Sequence, residues 1–392
     1  MNLDRTFMRR ALALAALGKF TAPPNPAVGA VLVREDRVIG EGFHARAGQP
    51  HAEAQALARG GDARGATLYV NLEPCCHVGR TPPCVTRILA SGVRRVVAAH
   101  ADPDPRVRGG GFRHLAAGGV ENRVGVLEAE ALALNAGYFH VLRSGRPWVT
   151  VKAATSADGV MAPPGIQWIT RRRSRRHGRV LRREHDAILT GIATVVADDP
   201  RMDPRPRLGA RPLLRIILDP KLRIASSARI LKRPDRDPVL IVSGPGVDSA
   251  ARRHIERRGV EVVEAPMADA SPSVAPPSGR GSQLDLEAVL QRIGDRGVRS
   301  LLVEAGPRLT SSFLQEGLAN RLVLYMAPRF LGRGEGTGLF DSTRAPAAAD
   351  RQLPRAQPFQ ESARYACLGP DLFADFLLER RPAPASSRRV RG

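Results

Sequence analysis

One histidine and two cysteines stand close together in the chain, with a spacing that suits a metal site. His51 opens the run His51-Ala52-Glu53, and Cys75 and Cys84 follow within a proline-rich segment. One imidazole and two thiolates bind zinc and leave a fourth coordination position open for water, as hydrolytic zinc sites require. Zinc lowers the pKa of bound water from 15.7 to about 7, which makes hydroxide available at neutral pH. The spacing therefore predicts a hydrolytic zinc site held by these three side chains.

Glu53 is predicted to carry protons at this site. It lies two residues beyond the histidine, within reach of the open position without being a ligand. A His-x-Glu run paired with Pro-Cys is the arrangement of zinc nucleobase deaminases. The alternative is a structural zinc site, in which His77 or Cys76 supplies a fourth ligand. That alternative gives Glu53 no role, so we favour the three-ligand hydrolytic site. Cys76 is then not a ligand, and we expect it to pack beside the site.

The elements that must position these residues indicate two α/β domains. Strand and helix patterns alternate along the first part of the chain, which predicts a three-layer α/β domain. A helix is expected from Ala52 to Ala58, and a second alternating series begins near Trp148. We place the domains at 1–145 and 146–380. The predicted first-half strands span 28–33, 37–40, 67–72 and 95–99, and those of the second half 149–153, 187–190, 213–218, 239–242, 301–303 and 322–325.

Three further expectations come from composition along the chain. Pro, Ser and Ala dominate 265–282, and Arg and Pro dominate the tail 381–392, so both segments are predicted to be disordered. Cys367 stands apart from the other cysteines and is expected to be a small buried residue.

The overall charge invites a nucleic-acid function, which other features disfavour. The 392 residues carry a net charge of +22, but only 4% are aromatic, so base-stacking platforms are scarce. Arginines are scattered along the chain, and they suit a small phosphorylated substrate equally well. No apolar run approaches the length of a membrane span, and no secretion signal is evident. We therefore expect a cytoplasmic protein that binds neither membranes nor nucleic acid, and keep a nucleic-acid deaminase as the less favoured alternative.

Several motifs of the first half closely resemble the bifunctional deaminase/reductase family of bacterial riboflavin biosynthesis. Eight residues separate Cys75 from Cys84, a longer excursion than the Cys-x-x-Cys of many nucleoside deaminases. The matching runs are Asn25-Pro26-x-Val28-Gly29, Ala47-Gly48-x-Pro50-His51-Ala52-Glu53, Leu72-Glu73-Pro74-Cys75 through Gly79-Arg80-Thr81-Pro82-Pro83-Cys84, and Asp102-Pro103-Asp104-Pro105.

The resemblance continues into the second half, where weaker motifs occur in the family's order. They are Ser156-x-Asp158-Gly159, Gln167-Trp168-Ile169-Thr170, Thr194-Val195-x-Ala197-Asp198-Asp199-Pro200 and Glu304-Ala305-Gly306-Pro307. The similarity therefore covers roughly residues 1 to 380.

The resemblance implies a cytidine-deaminase-like domain followed by a dihydrofolate-reductase-like α/β domain. The first would use zinc to deaminate 2,5-diamino-6-ribosylamino-4(3H)-pyrimidinone 5′-phosphate to 5-amino-6-(5-phosphoribosylamino)uracil. The second would use NADPH to reduce the ribosyl group to ribityl. Members of the family are oligomeric, so a homo-oligomer is expected.

The resemblance also implies roles for individual residues. Lys152 would be catalytic in the reductase half, with Asp199 near the reacting carbon. The first substrate would contact Asn25, His44, Arg80 and Asp102. The sugar phosphate in the second half would face Arg182, Met202, Arg205 and Glu304. The NADPH site would comprise Ala154, Trp168, Thr194, Asp198, Ser243, Gly306, Pro307 and Arg308.

Physical reasoning supports part of the cofactor site, and one departure weakens the reductase half. Gly306-Pro307 follows an apolar strand and opens a helix, where backbone N–H groups can bind a phosphate. Ile166 stands where the family usually has a serine that contacts substrate, and losing one hydrogen bond costs about 0.5–1.5 kcal/mol. A deaminase with a non-catalytic second half is therefore the main alternative.

Overall fold

The computed structural model describes residues 3–19, 21–78, 82–161, 165–203, 212–268, 283–332, 338–339 and 363–378. The chain forms two compact units, Met1–Arg146 and Pro147–Gly392. The predicted tail 381–392 and most of the predicted disordered segment 265–282 lie outside the described residues. None of the helices in the described ranges combines the length and apolar character that a membrane-spanning segment requires.

The first unit contains, within the described residues, a five-stranded sheet of order β2-β1-β3-β4-β5. The first three strands in that order pair antiparallel, and the last three pair parallel. Its elements are α1 (Leu3–Gly18), β1 (Gly29–Arg34), β2 (Arg37–Phe43), α2 (Ala52–Gly60), β3 (Thr67–Val70), α3 (Cys84–Ala90), β4 (Arg95–Ala98), α4 (Gly110–Ala117), β5 (Glu121–Val124), α5 (Glu128–Leu134) and α6 (Ala136–Ser144).

Helices cover both faces of this sheet, as the predicted three-layer domain requires. Side chains of a strand point alternately to opposite faces. On β1, Ala30 and Leu32 pack with residues of α2, α3 and α4, whereas Val31 and Val33 pack with residues of α1 and α5. The α/β fold class is confirmed for this unit.

Helix α2 lies directly against the backbone of β2 because that strand carries glycines at the contact. A Cβ at Gly40 would lie 2.1 Å from the carbonyl oxygen of Ala56, and one at Gly42 would lie 2.3 Å from that of Ala52. No side chain fits at either position without moving the helix. The two glycines therefore fix the place of α2, at whose first turn Glu53 lies.

The second unit contains, again counting only described residues, a nine-stranded sheet of order β10-β9-β8-β7-β11-β6-β12-β14-β13. Strands from β10 to β12 in this order pair parallel, and β14 and β13 add an antiparallel edge. Its elements are β6 (Trp148–Ser156), α7 (Arg172–Glu184), β7 (Ala187–Gly191), α8 (Ile192–Asp198), β8 (Leu214–Leu218), β9 (Val239–Ser243), α9 (Ser249–Glu256), β10 (Glu261–Glu264), α10 (Leu286–Asp295), β11 (Ser300–Val303), α11 (Pro307–Gln315), β12 (Arg321–Ala327), β13 (Arg364–Leu368) and β14 (Asp371–Leu377).

The core of the second unit also has two sides. Leu189 and Ile216 pack on the side of α10 and α11, while Ile188 and Ile217 pack on the side of α7 and α9. Every strand predicted for this half is present. The α/β class is thus confirmed here too, with a long, mostly parallel sheet buried on both faces.

Two expectations about local environment are wrong. Cys367 is exposed on β13, which pairs with β14 alone among the described strands, and is not a buried residue. Ala265 was included in the predicted disordered segment, yet it is buried in the core. It directly follows β10, and Met267 forms a β-bridge with Leu284. A composition rich in Pro, Ser and Ala does not reveal where the preceding strand ends.

Candidate active sites

The three predicted metal ligands meet in the first unit. His51 immediately precedes α2, Cys84 is the first residue of α3, and Cys75 lies in the loop after β3. The Nδ1 atom of His51 lies 3.2 Å from the Sγ of Cys84 and 3.5 Å from the Sγ of Cys75. The loop is closed by the backbone N–H of Cys84, which donates to the Cys75 sulfur at 3.4 Å.

The donor set fits zinc. All three ligand atoms lie within 4.8 Å of one another, and among the described residues they form the one such group of His, Cys, Asp or Glu. Neither Cys76 nor His77 belongs to it, which argues against the four-ligand structural alternative. The sulfur of Cys76 instead lies 3.6 Å from the backbone oxygen of Arg106. Three ligands of this kind leave a position for water.

A hydrogen bond joins the Cys75 and Cys84 side chains. The hydrogen bond from Cys84, assisted by His51, lowers the pKa of Cys75 to about 4. The same shared hydrogen bond, together with burial, raises the pKa of Cys84. Zinc binds thiolates, so metal binding displaces the remaining proton.

Glu53 is buried beside these ligands. Its residue is 4% exposed, and its carboxyl group is hydrogen-bonded to Cys84. Burial raises the pKa of Glu53, and the nearby negative charge of Cys75 raises it further. A carboxyl group with a raised pKa accepts a proton more readily than an ordinary carboxylate and can pass it on, as general acid–base catalysis requires. The geometry thus suits the proton carrier that the sequence predicts.

Asn25 and His44 lie together next to the ligands. The Nδ2 of Asn25 is 3.0 Å from the Nε2 of His44, whose Nδ1 is 3.3 Å from the backbone oxygen of Pro50. Burial lowers the pKa of His44, so the ring is neutral. We assign the Nδ1–H as donor to Pro50 and Nε2 as acceptor from Asn25. The His44 ring meets that of His51 edge-on, with centroids 5.2 Å apart.

Asp102 is the third predicted substrate contact with a described environment, since Arg80 lies outside the described residues. One carboxylate oxygen accepts from the N–H of Asp104 at 2.9 Å and from the Tyr138 hydroxyl at 3.2 Å. Burial raises the pKa of Asp102 to about 6 although both hydrogen bonds oppose it. This carboxyl group therefore titrates close to physiological pH.

Two buried asparagines that sequence reasoning missed hold the segment after Asn25. Asn71 accepts from the N–H of Gly29 at 2.8 Å and donates to the backbone oxygen of Ala27 at 3.0 Å. Asn135 accepts from the N–H of Ala27 and donates to its oxygen, at 2.8 and 2.9 Å. An asparagine within an apolar strand pattern is a signal that could have identified Asn71. Asn135 gives no comparable signal.

In the second unit, Lys152, Arg182 and Glu304 form a partly buried charged cluster. Arg182 binds both carboxylate oxygens of Glu304, each at 2.8 Å, and the Lys152 Nζ lies 3.9 Å from one of them. Lys152 lies on β6, Arg182 in the last turn of α7, and Glu304 directly after β11. Burial alone would raise the pKa of Glu304, but the charges of Arg182 and Lys152 prevail and hold it at about 2.

Tyr325 and His177 extend this cluster and were not predicted. The Lys152 Nζ lies 5.8 Å from the centroid of the buried Tyr325 ring. The Tyr325 hydroxyl is 2.7 Å from the Nδ1 of His177 on α7. Tyr325 pairs with Ala154 across β12 and β6, which places that predicted cofactor residue nearby. The pairing of strands distant in sequence, and no local pattern, creates this neighbourhood.

Four predicted cofactor residues gather at the start of α11. The backbone N–H of Gly306 donates to the Thr194 hydroxyl at 3.1 Å, Pro307 is the first helical residue, and the exposed Arg308 follows. The first turn of a helix presents N–H groups that bind phosphates. Pro307 has no N–H and the Gly306 N–H is bonded to Thr194, so the backbone donors of this turn toward a phosphate begin at Arg308.

The remaining predicted residues have other neighbours. Trp168 is exposed and stacks under the Arg175 guanidinium at 4.9 Å, and Asp198 is exposed at the end of α8. Asp199 accepts from the N–H of Arg229 at 2.7 Å. Met202 and Ser243 are both buried, Met202 in the core and Ser243 at the end of β9. Arg205 lies outside the described residues.

Comparison with known proteins identifies both halves. The RibD C-terminal domain model matches residues 147–361, and the model of the cytidine and deoxycytidylate deaminase zinc-binding region matches residues 1–100. The riboflavin biosynthesis protein RibD of Aquifex aeolicus is 39% identical over 340 residues, covering 86% of this chain and 90% of the relative. That of Escherichia coli is 40% identical over 344 residues, covering 84% and 89%.

Solved structures agree over almost the whole length. Acinetobacter baumannii RibD is 34% identical with a TM-score of 0.81, covering 96% of this chain and 99% of that one. The diaminohydroxyphosphoribosylaminopyrimidine deaminase/5-amino-6-(5-phosphoribosylamino)uracil reductase of Thermotoga maritima is 29% identical, with a TM-score of 0.77 and the same coverage. With a zinc-ligand cluster in one unit and the matching reductase fold in the other, the chain belongs to the RibD family of riboflavin biosynthesis proteins.

Proposed function

We propose that this chain performs two successive steps of riboflavin biosynthesis. The first unit hydrolyses the 2-amino group of 2,5-diamino-6-ribosylamino-4(3H)-pyrimidinone 5′-phosphate. The second unit reduces the ribosyl group of the product, 5-amino-6-(5-phosphoribosylamino)uracil, with NADPH. The observation that carries the proposal is the convergence of His51, Cys75 and Cys84 around the buried Glu53 in a chain of this family.

The deamination needs a water molecule, a proton carrier and a fixed substrate. When bound, zinc supplies the Lewis acid that makes water nucleophilic at neutral pH. Glu53 accepts a proton from the attacking water and passes it to the adjacent ring nitrogen. A second proton transfer through Glu53 reaches the amino group, so that ammonia leaves and a carbonyl group takes its place. The raised pKa of Glu53 suits both directions of transfer.

The substrate is held by groups around the ligands. Asn25 retains its amide oxygen and one N–H for a ring edge, since only one N–H is used by His44. Asp102 accepts from an amino or ring N–H group when it is ionised. Arg80 binds the substrate from the segment between the two cysteines. His44, a neutral ring next to His51, also contacts the substrate.

The reduction uses the charged cluster of the second unit. When bound, NADPH supplies the hydride that adds to the C1 carbon of the opened ribosyl group. Lys152 donates the proton that completes the reduction, and Asp199 lies near the reacting carbon. The Glu304 carboxylate lies 3.9 Å from the Lys152 Nζ, and Arg182 supplies a cation next to the sugar phosphate.

Further residues complete the proposal for this half. Met202 and Arg205 also contact the sugar phosphate. The NADPH site comprises Ala154, Trp168, Thr194, Asp198, Ser243, Gly306, Pro307 and Arg308. The enzyme works in the cytoplasm, where reducing conditions keep the zinc thiols available. It forms a homo-oligomer, its substrate is a small phosphorylated pyrimidine, and nucleic acid is not a partner.

The proposal is tested by supplying the diamino substrate to zinc-loaded protein with and without NADPH. Ammonia release and the ultraviolet absorbance of NADPH are followed together. The wild type should release ammonia in both cases and oxidise NADPH after deamination. Ammonia release without NADPH oxidation would indicate a deaminase with an inactive second unit. The absence of both signals would refute the assigned substrate.

The variant Glu53→Gln separates the two activities. It removes the proton carrier while keeping the size of the side chain, so ammonia release should fall by about 10²–10⁴-fold. The same variant should still oxidise NADPH when the deaminated compound is supplied directly. Unchanged ammonia release would contradict the role of Glu53.

A further inference from the structure

Glu73 is buried two residues before the first cysteine ligand, and the mechanism gives it no role. The residue is 3% exposed. Its Oε2 accepts from the backbone N–H groups of Asp102 at 3.1 Å and Gly109 at 3.0 Å, and its Oε1 accepts from that of Phe112 at 3.3 Å. One carboxylate thus binds three main-chain donors that are spread over residues 102–112. We name this stretch the 102–112 segment.

The 102–112 segment also fits closely against the backbone next to Glu73. A Cβ on Gly111 would lie 2.1 Å from the carbonyl oxygen of Pro74 and 3.1 Å from the Oε1 of Glu73. Only glycine permits this approach without displacing one of the two chains. The backbone N–H of Glu73 in turn donates to the oxygen of His100 at 2.9 Å. The contact is therefore a fitted junction between two loops.

The two loops carry different parts of the deaminase site. The loop with Glu73 continues to Cys75, a zinc ligand, and the 102–112 segment begins with Asp102, a substrate contact. We infer that Glu73 is a positioning residue that fixes the Asp102 carboxylate relative to the metal ligands. This inference rests on the proposed deaminase function. Glu73 touches neither substrate nor metal and acts only through the backbone of Asp102 and its neighbours.

The chemistry of the carboxylate explains why glutamate is needed here. An ionised carboxylate only accepts hydrogen bonds and can serve three N–H donors at once. A glutamine of nearly the same shape replaces one oxygen by an NH₂ group. An N–H donor of the side chain then faces an N–H donor of the backbone, and no hydrogen bond forms there. The 102–112 segment must then shift at Asp102, Gly109 or Phe112. Hydrogen bonds to charged groups are stronger than those between neutral groups, so losing one of them is expected to displace Asp102 at the substrate site.

The test is the kinetics of Glu73→Gln beside the matched control Glu130→Gln, which changes an exposed glutamate on α5. We expect KM for the diamino substrate to rise about tenfold to hundredfold in Glu73→Gln. The value of kcat, the bound zinc per chain and NADPH oxidation on the deaminated compound should stay near the wild type. Glu130→Gln should resemble the wild type throughout.

A binding measurement removes the dependence on turnover. In the Glu53→Gln background the substrate is consumed about 10²–10⁴-fold more slowly, so its Kd can be measured and should rise by the same factor when Glu73→Gln is added. Glu73→Asp keeps both acceptor oxygens on a shorter stem and should recover part of the lost affinity. This second variant tests the inference even if Glu73→Gln does not fold.

Two results would overturn the inference. An unchanged KM would mean that Glu73 does not position the substrate contact. A parallel loss of zinc, kcat and folded protein in both Glu73 variants would mean that the residue only stabilises the unit. Absence of ammonia release from the wild type is a different result, because it would refute the proposed deaminase function itself.

Discussion

The two sites of this chain are assembled in opposite ways. The deaminase ligands come from two short segments, 51–53 and 75–84, each next to the start of a helix. The reductase cluster joins Lys152, Arg182 and Glu304, which lie on a central strand, a helix end and a loop after another strand. Local spacing specifies the first site, whereas sheet topology specifies the second. Short motifs are therefore sufficient evidence for the metal chemistry, and only the three-dimensional fold can support the reductase cluster.

The sites also differ in how they handle buried charge. In the first unit, the hydrogen bond between Cys75 and Cys84 lowers the pKa of Cys75, and burial raises the pKa of Glu53. In the second unit, Glu304 is already paired with two cations. Its pKa of about 2, lowered from an ordinary 4.5, corresponds to about 3 kcal/mol of stabilisation of the folded state. Because the folded-state pKa is lowered, this stabilisation is fully present above about pH 4.5 and is lost as the pH falls toward 2.

Removal of zinc should separate the two activities completely. A chelator strong enough to strip His51, Cys75 and Cys84 should abolish ammonia release, since no other group activates the water. NADPH oxidation on the deaminated compound should persist, because the described part of the second unit holds no comparable ligand group. The measurement is both activities before and after dialysis, with zinc content recorded. Zinc added back should restore ammonia release, and a parallel loss of both activities would contradict the division of labour.

Breaking the charged cluster should have the next largest effect. The variant Arg182→Met leaves Glu304 buried with one partner fewer, and removing one member of a buried ion pair costs about 3–5 kcal/mol. We expect the second unit to unfold at lower temperature and NADPH oxidation to be lost, while ammonia release continues. Thermal unfolding and the two assays measure this.

The matched control for that variant is Arg179→Met, which removes an exposed arginine from the same helix. An exposed position contributes little, so its stability should stay within about 0.5 kcal/mol of the wild type. Equal effects of the two substitutions on stability would mean that the ion pair with Glu304 stabilises the second unit no more than an exposed arginine does.

The pattern of apolar residues predicted most of the buried strands of both sheets, but it missed β5, β10, β13 and the largely buried β14. Strand β5 is almost entirely exposed, and so is most of β13, so neither carries the alternation that identifies a half-buried strand. Both pair only at the edge of their sheets. Edge pairing depends on a neighbouring strand's free hydrogen-bonding groups, which the sequence of the edge strand itself does not reveal.

The candidate sites divide along the same line. His51, Cys75, Cys84 and Glu53 could be predicted because each chemical role requires one residue type at a fixed separation. Asn135 and Glu73 could not, because they bind backbone groups, and any residue can supply a backbone partner; Asn71 binds backbone groups too, and only its place in an apolar strand pattern marks it. Tyr325 and His177 likewise meet only through the packing of β12 and α7. Sequence therefore reveals the reacting groups more readily than the groups that hold them in place.

The pH dependence of deamination should follow the ionisation of Asp102. This is the smallest of the expected effects. Burial raises the pKa of Asp102 to about 6, and the proposed substrate contact requires the ionised form. Because the acid form predominates below that value, kcat/KM for deamination should fall about tenfold per pH unit below pH 6 and level off above it.

The variant Asp102→Asn sharpens this assignment. It cannot titrate, so its kcat/KM should be lower than that of the wild type at neutral pH and nearly independent of pH between about 5 and 7. NADPH oxidation on the deaminated compound serves as the internal control, since its pH profile should be the same in both proteins. If Asp102→Asn kept the acid limb of the wild type, another group would be responsible for it. The deaminase would then differ from the reductase in its metal alone, and not in having a titrating substrate contact near neutral pH.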